Sequence, residues 1–261
     1  MTTPVPSPAA STAAQVQLAQ ALRSNQAFLR AGMVRDVVTA WRGLFRPQQA
    51  AESWPPLRLM LGSLVRDRAA TSANLAATYY RQARTAAGLG DIDVTYPAPL
   101  TDDLIGGTLD PTGLGAFLRA IGNGQTEARA SDNAAVLLSG AASRLALQAG
   151  RDTILNTVHA DGDAIGWARI TGPRPCYWCA MLASRGISYK SRTTASFKAH
   201  DHCACMAAPA FSHDEVWLQH GEDIRDQWDE VTSHLSGDEA MNAWRRHWNA
   251  SSTTDDGTGG P

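Results

Sequence analysis

The 261-residue sequence predicts a mainly α protein, in which a body of long helices precedes a small zinc-stabilised α+β module and a helical C-terminal tail. Two observations predict the body: an apolar stripe at helical spacing within residues 57–87, and a long alanine-rich stretch over 125–158. The module is predicted because all four cysteines lie between residues 176 and 205.

Composition and pattern divide the chain into five predicted segments. Residues 1–13 are mostly Pro, Ser, Thr and Ala without charge, which is typical of a disordered arm. The other four segments are a helical body (14–164), the cysteine-rich α+β module (165–212), an acidic helical tail (213–250) and a disordered end (251–261).

The first strongly periodic helix is expected from Leu57 to Ala87, followed by Gly88 as its C-terminal stop. Its apolar stripe comprises Leu57, Met60, Leu61, Leu64 and Val65. Pro47 and the Pro55-Pro56 pair are predicted to interrupt the chain before this helix.

Capping residues predict where the middle helices begin. Thr101 and the two aspartates after it precede an apolar pair, as at a helix N-terminus. Asp110 before Pro111 predicts the start of a further helix, with proline in its first position. The long alanine-rich helix is expected to follow, from about Gln125 to Val158.

After residue 159 the pattern changes to short elements. Strands are predicted at Ile165–Ile170, at Ile187–Tyr189 and within Cys203–Phe211. Helical turns are predicted at Tyr177–Ser184. The chain here therefore resembles a small α+β unit rather than a continuation of the bundle.

The cysteine spacing predicts a metal site. A Cys-x2-Cys pair is separated by 23 residues from a Cys-x-Cys pair, and two histidines lie beside the second pair. Four thiolates can close a tetrahedral zinc shell, which would stabilise a module too small to rely on its own core. The favoured ligands are Cys176, Cys179, Cys203 and Cys205, with His200 as the first substitute and His202 as the next.

A cluster of four cysteines is also compatible with two arrangements that hold no metal. Disulfides would bring cysteines together, although cytosolic proteins usually keep thiols reduced. The four residues could also be unrelated buried side chains.

The sequence favours a protein without catalytic activity. It contains no Gly-x4-Gly-Lys-[Ser/Thr] loop, no His-Glu-x2-His pair and no Gly-x-Ser-x-Gly elbow. The run from His159 to Asp161 ahead of Pro175 resembles a deaminase motif, but its acid is Asp, not Glu, and only 13 residues separate Asp161 from Pro175. Nothing in the spacing supports Ser184 as a nucleophile with His200 or His202 as its base.

Charge is unevenly distributed along the chain. The net charge is −2, which argues against a globally basic nucleic-acid coat. Residues 213–261 hold 11 acidic and 3 basic side chains, whereas residues 1–212 hold 14 acidic and 20 basic ones. A basic body with an acidic tail is one interpretation, and two solvated helix faces of opposite sign are the other.

Four tryptophans mark the tail. Trp217 and Trp228 are eleven residues apart and Trp244 and Trp248 are four apart, so each pair shares a helix face. Packing of the tail onto the body and docking of another protein both fit this pattern. In the first case, the acidic face is expected to lie against basic residues of 1–212.

A longer stretch is similar to a known family. The sequence GWARITGPRPCYWCAMLASRG, followed by His-x-His-Cys-x-Cys and Pro209, resembles the C-terminal module of phage Mu F-like (MuF-like) minor head proteins, in particular those of actinobacterial tailed phages. The helix that contains Tyr79–Arg84 resembles the helical body of the same proteins. Where the family has His-Pro, this sequence has His200-Asp201, so the turn imposed by proline is lost.

The resemblance implies a minor capsid or head-morphogenesis protein. Such a protein is expected in the phage head, and in the host cytoplasm during assembly, with portal and major capsid proteins as partners. The basic excess of residues 1–212 adds packaged DNA as a partner through non-specific phosphate contacts. No apolar stretch reaches 18 residues and no signal peptide is visible, so no membrane partner is expected. The alternatives are a zinc-dependent nuclease, a head-maturation protease or an effector packaged in the head.

Overall fold

The computed structural model describes residues 8–172, 175–187, 196–213 and 219–254. Most of these residues are helical, which confirms the mainly helical prediction. The helices are α1 (Pro8–Leu44), α2 (Ala50–Ala86), α3 (Asp102–Thr112), α4 (Leu114–Gly122), α5 (Glu127–Ala160), α6 (Tyr177–Ala183), α7 (Gln219–Thr232) and α8 (Gly237–Thr254). The strands are β1 (Gly166–Ile170) and β2 (Met206–Ala210), and a short 3-10 turn covers Pro47–Gln49.

The long helices α1, α2 and α5 pack against one another and form the body. Alanine and glycine on their facing sides allow close approach. At Gly150 a Cβ atom would overlap Ser72 of α2. The Ser72 hydroxyl donates to the Gln26 carboxamide oxygen (2.9 Å), and the Gln26 amide donates to the Ser72 carbonyl (3.0 Å). This buried pair is fully satisfied, so the junction of the three helices is both tight and polar.

Two helices begin earlier than the sequence predicted. Helix α1 starts at Pro8, inside the segment predicted as a disordered arm, and proline is well suited to a first helical position. Helix α2 starts at Ala50, so Pro55 and Pro56 lie inside it rather than before it. The N–H groups of the first helical turn have no intrahelical partner. Pro55 and Pro56 fall just past this turn, so each removes one backbone hydrogen bond and only two are lost. At the other end, α8 continues to Thr254, into the end that was predicted to be disordered.

The α3–α4 pair corrects one predicted cap and confirms another. The Thr101 side chain accepts the N–H of Leu104 (3.2 Å) and caps α3 as predicted. Asp110 instead lies in the last turn of α3, and α4 begins only after Gly113. The Asp110 carboxylate accepts the indole N–H of Trp54 (2.8 Å), so a tertiary partner replaces the predicted capping role.

The module contains one antiparallel strand pair. β1 pairs with β2 in a register that sets Trp167 opposite Pro209 and Arg169 opposite Ala207, which confirms the two outer predicted strands. Of the predicted middle strand, Ile187 lies outside any strand, and residues 188–189 lie outside the described part of the chain.

The core of the module is continuous with that of the body. Trp167 and Met206 of the strand pair share one buried cluster with Tyr80 of α2 and Ile154 of α5, and three of the cysteines belong to the same cluster. A second core occupies the rest of the body, from Met33 to Leu145. The cysteine-rich module therefore packs on one end of the body without a core separate from it.

The tail helices pack on α6. Ile224 of α7 and Trp244 of α8 lie in an apolar cluster with Leu182. The indole N–H of Trp244 donates to the Tyr177 carbonyl (2.8 Å), and that of Trp248 to the Pro175 carbonyl (2.7 Å). The tail is thus helical as predicted, with its contacts on the module.

The acidic side chains of the tail do not pair with the body as was expected for a packed tail. Between described residues, every ion pair within 4.0 Å lies inside residues 35–201, and none joins α7 or α8 to the basic body. The tail is attached through apolar and indole contacts instead. Trp217, predicted to share a face with Trp228, lies outside the described residues.

Candidate metal centre

The first half of the centre is the N-terminus of α6. Cys176 is the N-cap residue, with extended backbone, and its sulfur accepts the N–H of Cys179 (3.4 Å). A thiol at the N-cap and one at the third helical position lie on the same turn. The Cys-x2-Cys spacing therefore brings two sulfurs to one point without any contribution from the rest of the fold.

The second half is the segment that leads into β2. The N–H of Cys203 donates to the His200 carbonyl (3.2 Å), which closes a turn in which His202 has a φ of 63°. This turn sets His200 and Cys203 against the α6 cysteines. The Cys179 sulfur lies 3.5 Å from both the Cys203 sulfur and the His200 Nε2, and the Cys176 sulfur lies 2.9 Å from the same Nε2.

The five candidate ligand atoms form two overlapping groups. Cys176, Cys179 and His200 lie within 4.8 Å of one another, and so do Cys179, Cys203 and Cys205. Four sulfur atoms held about 2.3 Å from one zinc ion would be about 3.8 Å apart. The separations within each group are close to this spacing, so each group can hold a metal ion. Cys176 shares no group with Cys203 or Cys205, so a shell of all four sulfurs would need the two halves to move closer together.

All four cysteines are free thiols in this structure, so they are not paired as disulfides. The sulfurs of Cys179 and Cys203 approach to 3.5 Å without a bond.

The orientation of His200 suits a ligand. Its Nδ1 lies 2.7 Å from the carbonyl oxygen of Asp201, which can only accept, so Nδ1 carries the proton. Nε2 faces the two α6 sulfurs, and after loss of its proton it would offer its lone pair to a metal ion. Donation of the second ring N–H to a backbone carbonyl is the usual way in which a metal-binding histidine is oriented. The Asp201 carboxylate accepts Nε of Arg144 from α5 (2.7 Å), which anchors the turn to the body.

The structure does not bring His202 to the cluster, which corrects its prediction as a substitute ligand. Its imidazole lies against α5 at Gly140, where a Cβ atom would overlap the ring. Its carbonyl accepts Nη1 of Arg30 from α1 (2.6 Å). Since adjacent turn residues point in different directions, His200 faces the sulfurs and His202 docks the turn on the body.

Two buried arginines lie next to the cluster, and the sequence predicts a role for neither. Arg151 of α5 donates through Nη2 to the Cys203 carbonyl (2.8 Å) and through Nε to the Cys205 carbonyl (3.0 Å). Arg169 of β1 donates to the Lys198 carbonyl (2.8 Å). Nothing in a single sequence distinguishes these arginines from exposed ones, because their burial arises only when α5 and β1 meet the cysteine segment.

A comparison with known protein families identifies the family of this chain. The family model described as "VG15 protein" matches residues 13–231, which span the body, the module and almost all of α7. The chain belongs to the VG15 protein family. This is a phage (viral gene) protein family, so the protein is phage-encoded. No curated protein and no solved structure matches the chain.

The thiols of this VG15 protein differ in their readiness to ionise. Hydrogen bonds from Cys179 and His200 outweigh burial and lower the pKa of Cys176 to about 4. Hydrogen bonds from Cys179 and Cys205, together with the charge of Arg151, lower the pKa of Cys203. The hydrogen bond with Cys176 raises the pKa of His200 to about 9. By contrast, hydrogen bonds with Cys176, Cys203 and Cys205 raise the pKa of Cys179. The hydrogen bond with Cys179 opposes the effect at Cys205, but the hydrogen bond with Cys203 and burial raise its pKa to about 12. Since thiolates are the metal-binding form, Cys176 and Cys203 are the two sulfurs most ready to bind a cation.

The other residues weighed as catalytic candidates have structural partners. The Ser184 hydroxyl is buried and donates to the Met181 carbonyl (2.8 Å) at the end of α6. Asp161 forms a buried ion pair with Arg84 and accepts the Tyr80 hydroxyl (2.9 Å). In this VG15 protein, Asp161, the acidic residue of the deaminase-like run, therefore connects the end of α5 to α2.

Among the described residues, no helix combines the length and the apolar character needed to cross a bilayer.

Proposed function

We propose that this VG15 protein is a minor capsid or head-morphogenesis protein of a tailed phage. It acts without catalysis, contacts portal and major capsid proteins during assembly in the host cytoplasm, and remains in the virion head. Membership of a phage family and the MuF-like sequence of Gly166–Phe211 support the proposal. The observation that carries it is that most of the exposed large apolar side chains lie on the helices that surround the second core.

Ten large apolar side chains of the described chain are exposed, and eight of them lie on the elements around the second core. The eight are Leu44, Leu59, Met60, Leu104, Leu118, Ile121, Val136 and Leu137. Val136 and Leu137 line a groove between α4 and α5 together with Ala116 and Ala120, and polar side chains such as Arg119 and Asn133 complete its lining. Clustered exposed apolar surface marks protein contact sites, whereas single exposed residues do not. This end of the body is the proposed contact surface.

In this proposal the metal is a structural zinc ion. The donor set of thiolates with an adjacent imidazole is one that zinc prefers, and closed shells of such ligands are typical of structural sites. When bound, zinc would cross-link α6 to the segment before β2, which α5 already holds through Arg151 and Arg144. The favoured ligands are the four cysteines, with His200 as the substitute.

The net positive charge of residues 1–212 supports a further contact with packaged DNA. Such contacts would be sequence-independent and would weaken with salt.

The experiment is complementation of a phage lacking this gene, with mass spectrometry of purified particles. Leu118→Glu and Leu137→Glu replace exposed residues, so both variants should fold, as checked by circular dichroism, but should be depleted from particles. Phe28→Glu is the matched control, because Phe28 is even more exposed but lies away from the second core. Absence of the wild-type protein from particles and from assembly intermediates would refute the proposal, as would normal incorporation of both variants.

A further inference from the structure

Cys176 is the one exposed cysteine among the four. It caps the N-terminus of α6, whereas Cys179, Cys203 and Cys205 are only 1%, 4% and 6% exposed. Oxidation of a thiol requires contact between its sulfur and the oxidant, so exposure decides which cysteine reacts first. A small oxidant in solution therefore meets the sulfur of Cys176 before it meets the other three.

Distance decides which sulfur can react with Cys176 next. The sulfurs of Cys176 and Cys179 lie within 4.8 Å of each other, and the Cys179 N–H donates to the Cys176 sulfur (3.4 Å). Cys203 and Cys205 are close to Cys179 but share no group with Cys176, so both sulfurs lie more than 4.8 Å from that of Cys176. A disulfide that starts from Cys176 within one chain therefore has Cys179 as its partner.

A peroxide can supply the oxidation. The sulfur of Cys176 attacks one peroxide oxygen, the O–O bond breaks, and the thiol proton moves to the leaving oxygen, which gives a sulfenic acid and an alcohol or water. The Cys179 sulfur then displaces the sulfenic hydroxyl, which leaves as water with the Cys179 proton, and the S–S bond forms. The two sulfurs lose two electrons in total, and the peroxide gains them. Two equivalents of an external thiol reverse the reaction by exchange.

This disulfide would dismantle both groups of candidate metal ligands. Cys179 is common to the two groups, and Cys176 belongs to the outer one. A sulfur in a disulfide is no longer a thiolate, which is the metal-binding form. His200 would remain alone in the outer group, and Cys203 and Cys205 would remain in the buried one. Neither remainder approaches the four ligands of a structural zinc site.

We propose that Cys176 and Cys179 are a peroxide-sensitive redox pair, in which Cys176 is oxidised first and Cys179 closes a disulfide that releases the metal. The release step and its setting rest on the zinc site and the virion location proposed above. Assembly would take place in the reducing host cytoplasm, whereas the released particle is in oxidising surroundings, where disulfides persist. The protein would thus hold zinc during assembly and lose it on oxidation.

The test maps disulfides in the full-length protein after reduction, treatment with hydrogen peroxide, blocking of the remaining thiols with N-ethylmaleimide in denaturant, and digestion with trypsin. Cys176 and Cys179 fall in one tryptic peptide, Ile170–Arg185, and Cys203 and Cys205 fall in another, Ala199–Arg225. The first peptide should lose two hydrogen atoms and accept no maleimide. The second is the internal control and should accept two. A disulfide between the two peptides, or one confined to the second, would overturn the inference.

Variants separate the two roles. Cys179→Ser should stop the reaction at a sulfenic acid on Cys176, which dimedone labels. Cys176→Ser should slow the loss of thiols about tenfold or more, because the remaining sulfurs are buried. Ser184→Ala is the matched control, since it removes a hydroxyl from the opposite end of α6, and it should oxidise at the wild-type rate. An unchanged rate in Cys176→Ser would contradict its role as the first site. If that variant fails to fold, the wild-type peptide map decides.

The zinc-loaded protein gives a second readout. A chromophoric chelator should report zinc release at the rate of disulfide formation, and dithiothreitol with added zinc should restore the thiols and the bound metal. Zinc that stays bound after the disulfide has formed would overturn the inference. A reduced protein that binds no zinc would overturn the release step together with the proposed zinc site, and the peptide map would still decide whether the redox pair exists.

Discussion

The Tyr80 hydroxyl donates a hydrogen bond to the Asp161 carboxylate across 2.9 Å, although the two residues are 81 positions apart in the chain. Tyr80 lies on α2 and Asp161 directly follows α5, and both are buried. Arg84, one turn after Tyr80, forms ion pairs with Asp161 and with Asp163 (2.8 Å). This network fixes the point at which the chain leaves the body and enters β1.

Removal of the Asp161 charge should destabilise the protein strongly. In Asp161→Asn the Arg84 guanidinium stays buried with a weaker partner, so we expect a loss of about 3 kcal/mol, against about 1 kcal/mol for Tyr80→Phe. Urea denaturation monitored by circular dichroism measures both. Arg81→Gln, which breaks an exposed pair with Asp91, should cost less than about 0.5 kcal/mol. Equal stabilities for Asp161→Asn and wild type would contradict the proposed network.

The same carboxylate should make stability depend on pH in the acid range. Burial opposes ionisation of Asp161, but hydrogen bonds from Arg84, the Asp163 N–H and Tyr80 outweigh it, so its pKa is lowered. A depressed folded-state pKa stabilises the protein above the unfolded value of about 3.9, and this contribution is lost as pH falls through the folded pKa. The difference in melting temperature between wild type and Asp161→Asn should therefore shrink as pH falls below about 4. A difference that grows on acidification would show that another group dominates.

Loss of the metal should loosen more than the module. Cys179, Cys203 and Cys205 belong to the same buried cluster as Tyr80 and Ile154, so the module and the adjoining end of the body share one core. We expect about one zinc ion per chain by elemental analysis. Cys176→Ser should lose it, with faster hydrogen exchange in residues 166–210 and in the adjoining ends of α2 and α5. Exchange changes confined to the module would contradict the shared core.

Gly140 should be intolerant of any side chain. A Cβ atom there would overlap His202 and press on Asp201, so Gly140→Ala should displace the turn that carries His200 and Cys203. We expect a loss of about 1–3 kcal/mol and weaker metal binding. Gly107→Ala is the control, since nothing lies within 4 Å of its Cβ position in α3, and alanine there should be neutral or stabilise by up to about 1 kcal/mol. Similar stabilities for the two variants would contradict the contact between the His202 ring and Gly140.

Attachment of the tail should resist salt. Trp244 is fully buried and binds the Tyr177 carbonyl, and no ion pair between described residues joins α7 or α8 to the body. Apolar contacts are not screened by ions, so limited proteolysis between α7 and the module should proceed equally at low and high salt. Trp244→Ala should accelerate cleavage and cost about 3–5 kcal/mol. Salt-dependent release of the wild-type tail would contradict this prediction and would support the electrostatic attachment expected from the sequence.

The sequence by itself determined the features that depend on local spacing. The apolar stripe at helical spacing predicted α2, the alanine-rich stretch predicted α5, and Thr101 predicted the start of α3. These predictions succeed because helix geometry and capping involve residues only a few positions apart. The Cys-x2-Cys spacing predicted two sulfurs on one turn for the same reason. The sequence likewise predicted that the acidic, tryptophan-containing tail is helical.

The tertiary structure alone decided the features that depend on which helices meet. Asp110 caps no helix because α3 continues through it, and its carboxylate accepts the Trp54 indole N–H instead. His202 is no ligand because its ring lies on α5, where Gly140 leaves room for it. Arg151 and Arg169 are buried beside the cysteines only because α5 and β1 converge there. Burial changes what a polar side chain must pair with, and burial is set by contacts between residues far apart in the chain, so no local pattern could reveal these roles.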